Sequence, residues 1–212
     1  MKTDDLIDGL VADADHPVLP LARGFGLAVL AGAIVAALLF ALLLGPRPDF
    51  AAVAATPRFL LKFVETGLLA SAATALSIRL ARPEGDGTVA VRVLVAAALL
   101  LGAAVVIELV VVPGADWGRR LVGRNWYHCL ALVPFLSLAP FVALMAAARH
   151  GAPTRPRLAG AVVGLASAGI GAFFYAANCT DDSPLFVVTW YGLAVAAMAG
   201  LGAAIGGRVL RW

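Results

Sequence analysis

The sequence predicts an all-α, polytopic membrane protein: a bundle of six transmembrane helices preceded by a short amphipathic helix. Three observations predict it. First, 62% of the 212 residues are hydrophobic and only 14% are charged, with a mean hydropathy of +0.94. Soluble domains are roughly half apolar and about a quarter charged. Second, the apolar residues fall into six runs, each long enough for a helix to cross a hydrocarbon core of about 30 Å. Third, the connections are short, which favours an antiparallel bundle, because backbone polar groups in lipid must be satisfied within each helix. This composition excludes a soluble enzyme, a disordered chain and a disulfide-dense secreted scaffold. Six spans of about 20 residues use roughly 120 residues, which leaves no room for a separate soluble catalytic domain.

Two units follow: residues 1–22 and a membrane domain over 23–212. The first unit carries Asp4, Asp5, Asp8, Asp13 and Asp15 against Lys2 alone. Thr3 can cap a helix, and acids in the first turn suit its positive end. Leu6, Ile7, Leu10, Val11 and Ala14 form one apolar stripe, and Pro17 and Pro20 stop that helix. A helix this short needs a covering surface. Its acidity disfavours anionic lipid. A basic protein groove and the chain's own bundle both remain open as the surface it meets.

The spans are read in order. Gly24–Leu44 is free of charge, and its acidic lead-in and its length argue against a cleavable signal peptide. Phe59–Ile78 carries Lys62 and Glu65, which are three apart and can pair on one helix. Leu94–Val112 carries Glu108 near its end. Trp126–Ala148 contains His128, with Pro134 and Pro140 expected to kink it. Leu158–Cys179 and Leu185–Gly207 hold no Lys, Arg, Asp or Glu. Their Gly160–Gly164 and Gly202–Gly206 spacings allow close helix approach. Charges inside a span face the bundle or a cavity and are functional by default. For Lys62 the favoured reading is a snorkelling side chain that meets a carboxylate; Glu65 and Glu108 stay open.

An even number of spans places both termini on one side. That side holds ten Lys and Arg and the other six, so the positive-inside rule predicts cytoplasmic termini. The aromatic residues Trp117, Trp126, Tyr127, Tyr175, Trp190 and Tyr191 then fall at the outer interface.

The two cysteines, Cys129 and Cys179, reach that same outer end from distant positions. Two thiols at one level can form a disulfide if their Cα atoms come within about 7 Å, and an oxidising compartment permits it. A reversible disulfide or thiol sensor is the leading reading, ahead of a structural disulfide and of inert buried thiols. His128, Asp181 and Asp182 share the layer, so a metal held with Cys129 and Cys179 is conceivable. The spacing fits no zinc motif, and a permanent metal site is the weaker reading.

The opening Met1–Ile7, WYHC at Trp126–Cys129, GAPTRP at Gly151–Pro156 and CTDDSPLFVVTWYGLA at Cys179–Ala194 resemble the NrsF family. Its members are six-span bacterial inner-membrane negative regulators of extracytoplasmic-function sigma factors. The resemblance covers the whole chain and implies an anti-sigma factor, without a cofactor and not an enzyme. Its cytoplasmic segment, with Asp4, Asp5, Leu6, Ile7, Asp8, Leu10 and Val11, would hold the sigma factor away from RNA polymerase. The family's paired outer cysteines, associated with oxidative and heavy-metal stress, stand here at Cys129 and Cys179. An acidic amphipathic helix suits a basic, DNA-binding partner; no direct contact with nucleic acid is expected. The competing class is a small transporter or channel, suggested by Lys62, Glu65 and Glu108. A thiol oxidoreductase normally needs a CxxC pair and a relay pair, which this chain lacks.

Overall fold

The computed structural model describes residues 20–83 and 85–211. The acidic stripe from Asp4 to Val11 lies outside the described residues. Among the described residues six helices are long and apolar enough to cross a membrane: α1 (Leu21–Leu43), α2 (Pro57–Leu80), α3 (Thr88–Val111), α4 (Trp126–Ala148), α5 (Pro156–Ala176) and α6 (Pro184–Val209). Three of them, α2, α5 and α6, begin with proline at the first helical position, where its fixed φ suits a helix and no amide is lost to the ladder. The fourth helix runs through Pro134 and Pro140 without interruption. The start of α6 is widened into a π-helical turn over Val187–Tyr191 before regular α geometry resumes at Gly192.

The fifth helix is the spine of the bundle. It packs against α6, α2 and α4, while α1 leans on α4 and α3 leans on α2. Its sequence explains the position, since small residues dominate it and fourteen of its side chains or glycines are buried. The close approach to α6 depends on two glycine pairs. A Cβ on Gly160 would collide with the Gly202 carbonyl, and one on Gly206 would stand 2.7 Å from the Gly160 Cα. Gly164 faces the Met198 carbonyl in the same way. The small-residue spacings read from sequence therefore meet each other across one interface. Lipid tails are as apolar as leucine, so helix association in a bilayer rests on such close packing.

By contrast, α1 and α3 present apolar side chains outward: Leu30, Leu38 and Leu42 on one, Val95, Leu99, Ile107 and Val110 on the other are exposed. In lipid this is the satisfied state. The buried hydroxyls of Thr66, Ser77, Ser137 and Ser167 return to backbone carbonyls three or four residues earlier in their own helices, so each is satisfied locally.

Candidate functional site at the cysteine-bearing end

The loop Cys179–Ser183, between α5 and α6, is held from four directions at one end of the bundle. From the α1–α2 connection comes Arg47. Pro46 and Pro48 flank it, which restricts its backbone. Its amide donates to the Ala177 carbonyl at 3.0 Å. The guanidinium donates through Nη1 to Asp182 Oδ2 at 2.8 Å and to the Cys179 carbonyl at 3.3 Å. Its other edge grips Asp49 with bonds of 2.7 and 2.9 Å and holds that carboxyl below the usual carboxylate range. From α2 comes Lys62, with 0% exposure. Its ammonium stands 2.5 Å from Asp182 Oδ1 as an ion pair and donates to the Cys179 carbonyl at 2.9 Å.

From α3 comes Glu108, only 2% exposed. It accepts from Ser183 Oγ at 2.8 Å, from the Leu185 amide at 3.3 Å and from Arg120 Nη1 at 3.0 Å. Arg58 stands 3.6 Å away as a second cation. From the lead-in to α4, the amides of Arg124 and Asn125 donate to Asp181 at 3.0 and 2.8 Å. The Asn125 amide group adds bonds to Asp181 and Thr180. Gly123 makes this approach possible. It has a φ of +61°, and a Cβ there would meet the Phe186 ring at 2.5 Å and the Asp181 carboxyl carbon at 2.8 Å. Arg47, Lys62 and Glu108, the buried charges that grip this loop, thus each have an opposite charge and hydrogen bonds, the condition under which burial is tolerated.

Beneath this polar clamp lie both cysteines. Cys129 and Cys179 are free thiols with 0% exposure, in one cluster with Val133, Leu136, Ala172, Tyr175, Phe186 and Tyr191. The Cys179 thiol faces the Asp181 carbonyl at 3.8 Å, and burial pushes it above the ordinary thiol range. The cysteine end therefore stores two solvent-excluded thiols under a lid of ion pairs.

Several expectations are corrected here. Lys62 meets a carboxylate as expected, but the partner is Asp182 in the loop after the adjacent α5 rather than Glu65, and the Cys179 carbonyl accepts from the same ammonium. Lys62 does not snorkel to the surface, since it is wholly buried. Glu65 is 8% exposed, and its Oε1 has no hydrogen-bond partner. Tyr175 and Tyr191 are not interfacial rings; they are buried beside the thiols. Trp117, Trp126 and Tyr127 are exposed, and Trp126 stacks near Trp190 at 5.3 Å between centroids. The five residues considered for a metal do not converge. His128 is exposed whereas its neighbour Cys129 is buried, and Asp181 and Asp182 are committed to amides and cations. Among the described residues no group of three His, Cys, Asp or Glu could hold a metal ion. Sequence reasoning missed Arg47, Arg120, Asn125 and Ser183. Only the Pro46-Arg47-Pro48 rigidity carried a signal, and it named no partner.

The described residues form a helical, polytopic membrane bundle with a clamped layer of buried thiols at one end. The comparisons with known proteins give the family. The family model "NrsF: Negative regulator of sigma F" matches residues 10–212, and the chain belongs to this family. It is similar to "Anti-sigma-F factor NrsF" of Caulobacter vibrioides, with 36% identity covering all of both chains. It is also similar to "Probable anti-sigma-F factor NrsF" of Azospira oryzae, with 32% identity and the same full coverage. No solved structure matches the chain. Membership favours a regulator over the transporter and oxidoreductase classes, because the family is one of anti-sigma factors and not of enzymes.

Proposed function

We propose that this chain is an inner-membrane anti-sigma factor that holds an extracytoplasmic-function sigma factor through its acidic N-terminal segment and releases it when Cys129 and Cys179 respond to oxidative or heavy-metal stress. Both termini face the cytoplasm in this reading, and the cysteine end faces the periplasm. The family match over residues 10–212 supports the anti-sigma role. The excess of Lys and Arg on the terminal side supports the orientation.

The observation that carries the sensing step is the placement of both free thiols in one buried cluster directly below the Cys179–Ser183 loop. A thiolate is the reactive form, and access controls it. Thiols with no exposure are slow targets, so the clamp at Asp182 and Glu108 sets when they can react. Opening the loop frees the thiols. A disulfide or a thiol-bound soft metal then prevents the loop from closing, and the altered packing along α5 is felt at the terminal end. Two bundle arrangements with different sigma affinity are required, since a signal shifts only an equilibrium whose states differ.

The test replaces Cys129 and Cys179 with Ser, singly and together, and follows sigma-dependent transcription under peroxide and cadmium. Repression at rest with no induction is expected. Full induction in the double variant rejects the cysteine switch. Membrane-impermeant maleimide on whole cells, with N-terminal reporter fusions, checks the orientation; cytoplasmic thiols or a periplasmic N-terminus reject the route.

A further inference from the structure

We propose an anionic-phospholipid site at the terminal end of the bundle, built from Arg157 of α5 and Arg208 and Arg211 at the end of α6. The three arginines line one hollow of about 430 Å³, floored by Ala203, Ala204 and Gly207. Gly207 is needed for its shape. A Cβ there would stand 2.9 Å from Arg157 Cγ, so the aliphatic stem of Arg157 lies on the bare glycine, beside the hollow it shares with the other two arginines.

Two features point to an anion from outside. The first is pairing. At the cysteine end Arg47, Arg58, Arg119 and Arg120 each have a carboxylate within 4.0 Å. Among the described residues none stands within that reach of Arg157, Arg208 or Arg211. Three converging like charges repel unless a counter-charge sits among them. The second is the position of Arg157. It occupies the first turn of α5, where no acidic residue lies and no side chain caps the helix. A cation there opposes the helix dipole, while an anion bound beside it would meet both the guanidinium and the helix end favourably. Arg208 and Arg211 close α6 at the level where a span meets the headgroups. Basic pockets between transmembrane helices at this level accept phospholipid phosphates, and arginine forks bind phosphate in bidentate fashion. The small residues of the floor leave room for the glycerol and the upper acyl chain. The site is independent of the thiol layer, so it stands or falls apart from the sensing mechanism.

Native mass spectrometry of the full-length chain in detergent tests it, with equimolar phosphatidylcholine and cardiolipin or phosphatidylglycerol. Preferential retention of the anionic lipid is expected. Arg157→Gln/Arg208→Gln/Arg211→Gln lowers that retention at least fivefold. The control Arg58→Gln/Arg119→Gln, which removes charge from the other end, leaves it within twofold. All five side chains are exposed or nearly so, and the thermal unfolding of each variant without lipid verifies folding. Inorganic phosphate at the same concentration is expected to raise the unfolding midpoint less than the lipid does. Equal retention by the triple variant, equal loss in the control, or equal stabilisation by phosphate overturns the proposal. So does lipid binding that appears only after Asp4, Asp5, Asp8, Asp13 and Asp15 are replaced by Asn, which would make the chain's own acidic segment the occupant.

Discussion

Asp182 bears two cations, and this decides what single substitutions at the cysteine end do. Lys62 is wholly buried and its ion pair with Asp182 is shielded from water. Lys62→Met leaves a carboxylate with only Arg47 and removes a donor from the Cys179 carbonyl. Breaking a buried pair from one side costs about 3–5 kcal/mol, and the remaining Arg47 bond places this case at the lower end. Arg119→Gln breaks an exposed i,i+3 pair with Asp116, which is worth less than about 1 kcal/mol. Denaturation in mixed micelles is expected to separate the two clearly, with Lys62→Met the more destabilised. In the proposed mechanism the same clamp governs thiol access. Asp182→Asn is expected to speed maleimide labelling of Cys179 in the folded protein several-fold, read by mass shift against time; an unchanged rate would mean the loop does not guard the thiol. The pH dependence has a definite sign. Burial raises the Cys179 pKa, so the folded state holds that proton more tightly than the unfolded chain does. Its contribution to stability is full below the ordinary thiol value of about 8.5 and fades as pH rises above it. Labelling of the folded protein should accordingly keep rising with pH after a free thiol has levelled off.

At the scale of the helix, α5 and α6 meet through glycine, and substitution there tests whether the bundle is held by fit. Gly160→Leu and Gly202→Val each place atoms against backbone that cannot move aside. Overpacking of this kind costs about 1–3 kcal/mol. Gly26→Leu is the matched control, because nothing lies within 4 Å of its added Cβ. The expected order of thermal stability is parent and Gly26→Leu together, with the two interface variants below. The helices also show what a sequence can and cannot reveal. Hydropathy locates a span because lipid selects for it directly, and Trp126–Ala148 was legible to the residue. The third helix starts at Thr88, six residues before its apolar run, because exposed Arg92 interrupts the run but not the backbone ladder. The fifth stops at Ala176 rather than Cys179, because Arg47 and Lys62 draw the Cys179 carbonyl out of helical register. Spacing suggested a local Lys62–Glu65 pair; the actual partner is 120 residues away, and only the fold brings it near.

For the molecule as a whole, the thiol layer and the terminal end are separated by the length of α5. Its 21 residues span about 30 Å at 1.5 Å per residue. Because α5 touches α2, α4 and α6 together, a change in its seat at the cysteine end is transmitted to three helices at once. A sigma factor moved from nearly all bound to nearly all free needs the two bundle states to differ by about 5.5 kcal/mol in affinity. A disulfide supplies about 2–4 kcal/mol, which falls short alone. In the proposed mechanism the clamp is the second source, because Lys62→Met strands the Asp182 carboxylate in the closed state and not in the open one. The two sources acting in series predict a graded system. Lys62→Met should raise basal sigma-dependent transcription without any oxidant, and in a Cys129→Ser/Cys179→Ser background that basal rise should persist while the stress response disappears. A reporter assay with the four genotypes separates the terms. If the basal rise vanishes with the cysteines, the clamp acts only by exposing thiols; if it persists, the clamp itself biases the bundle between its two states.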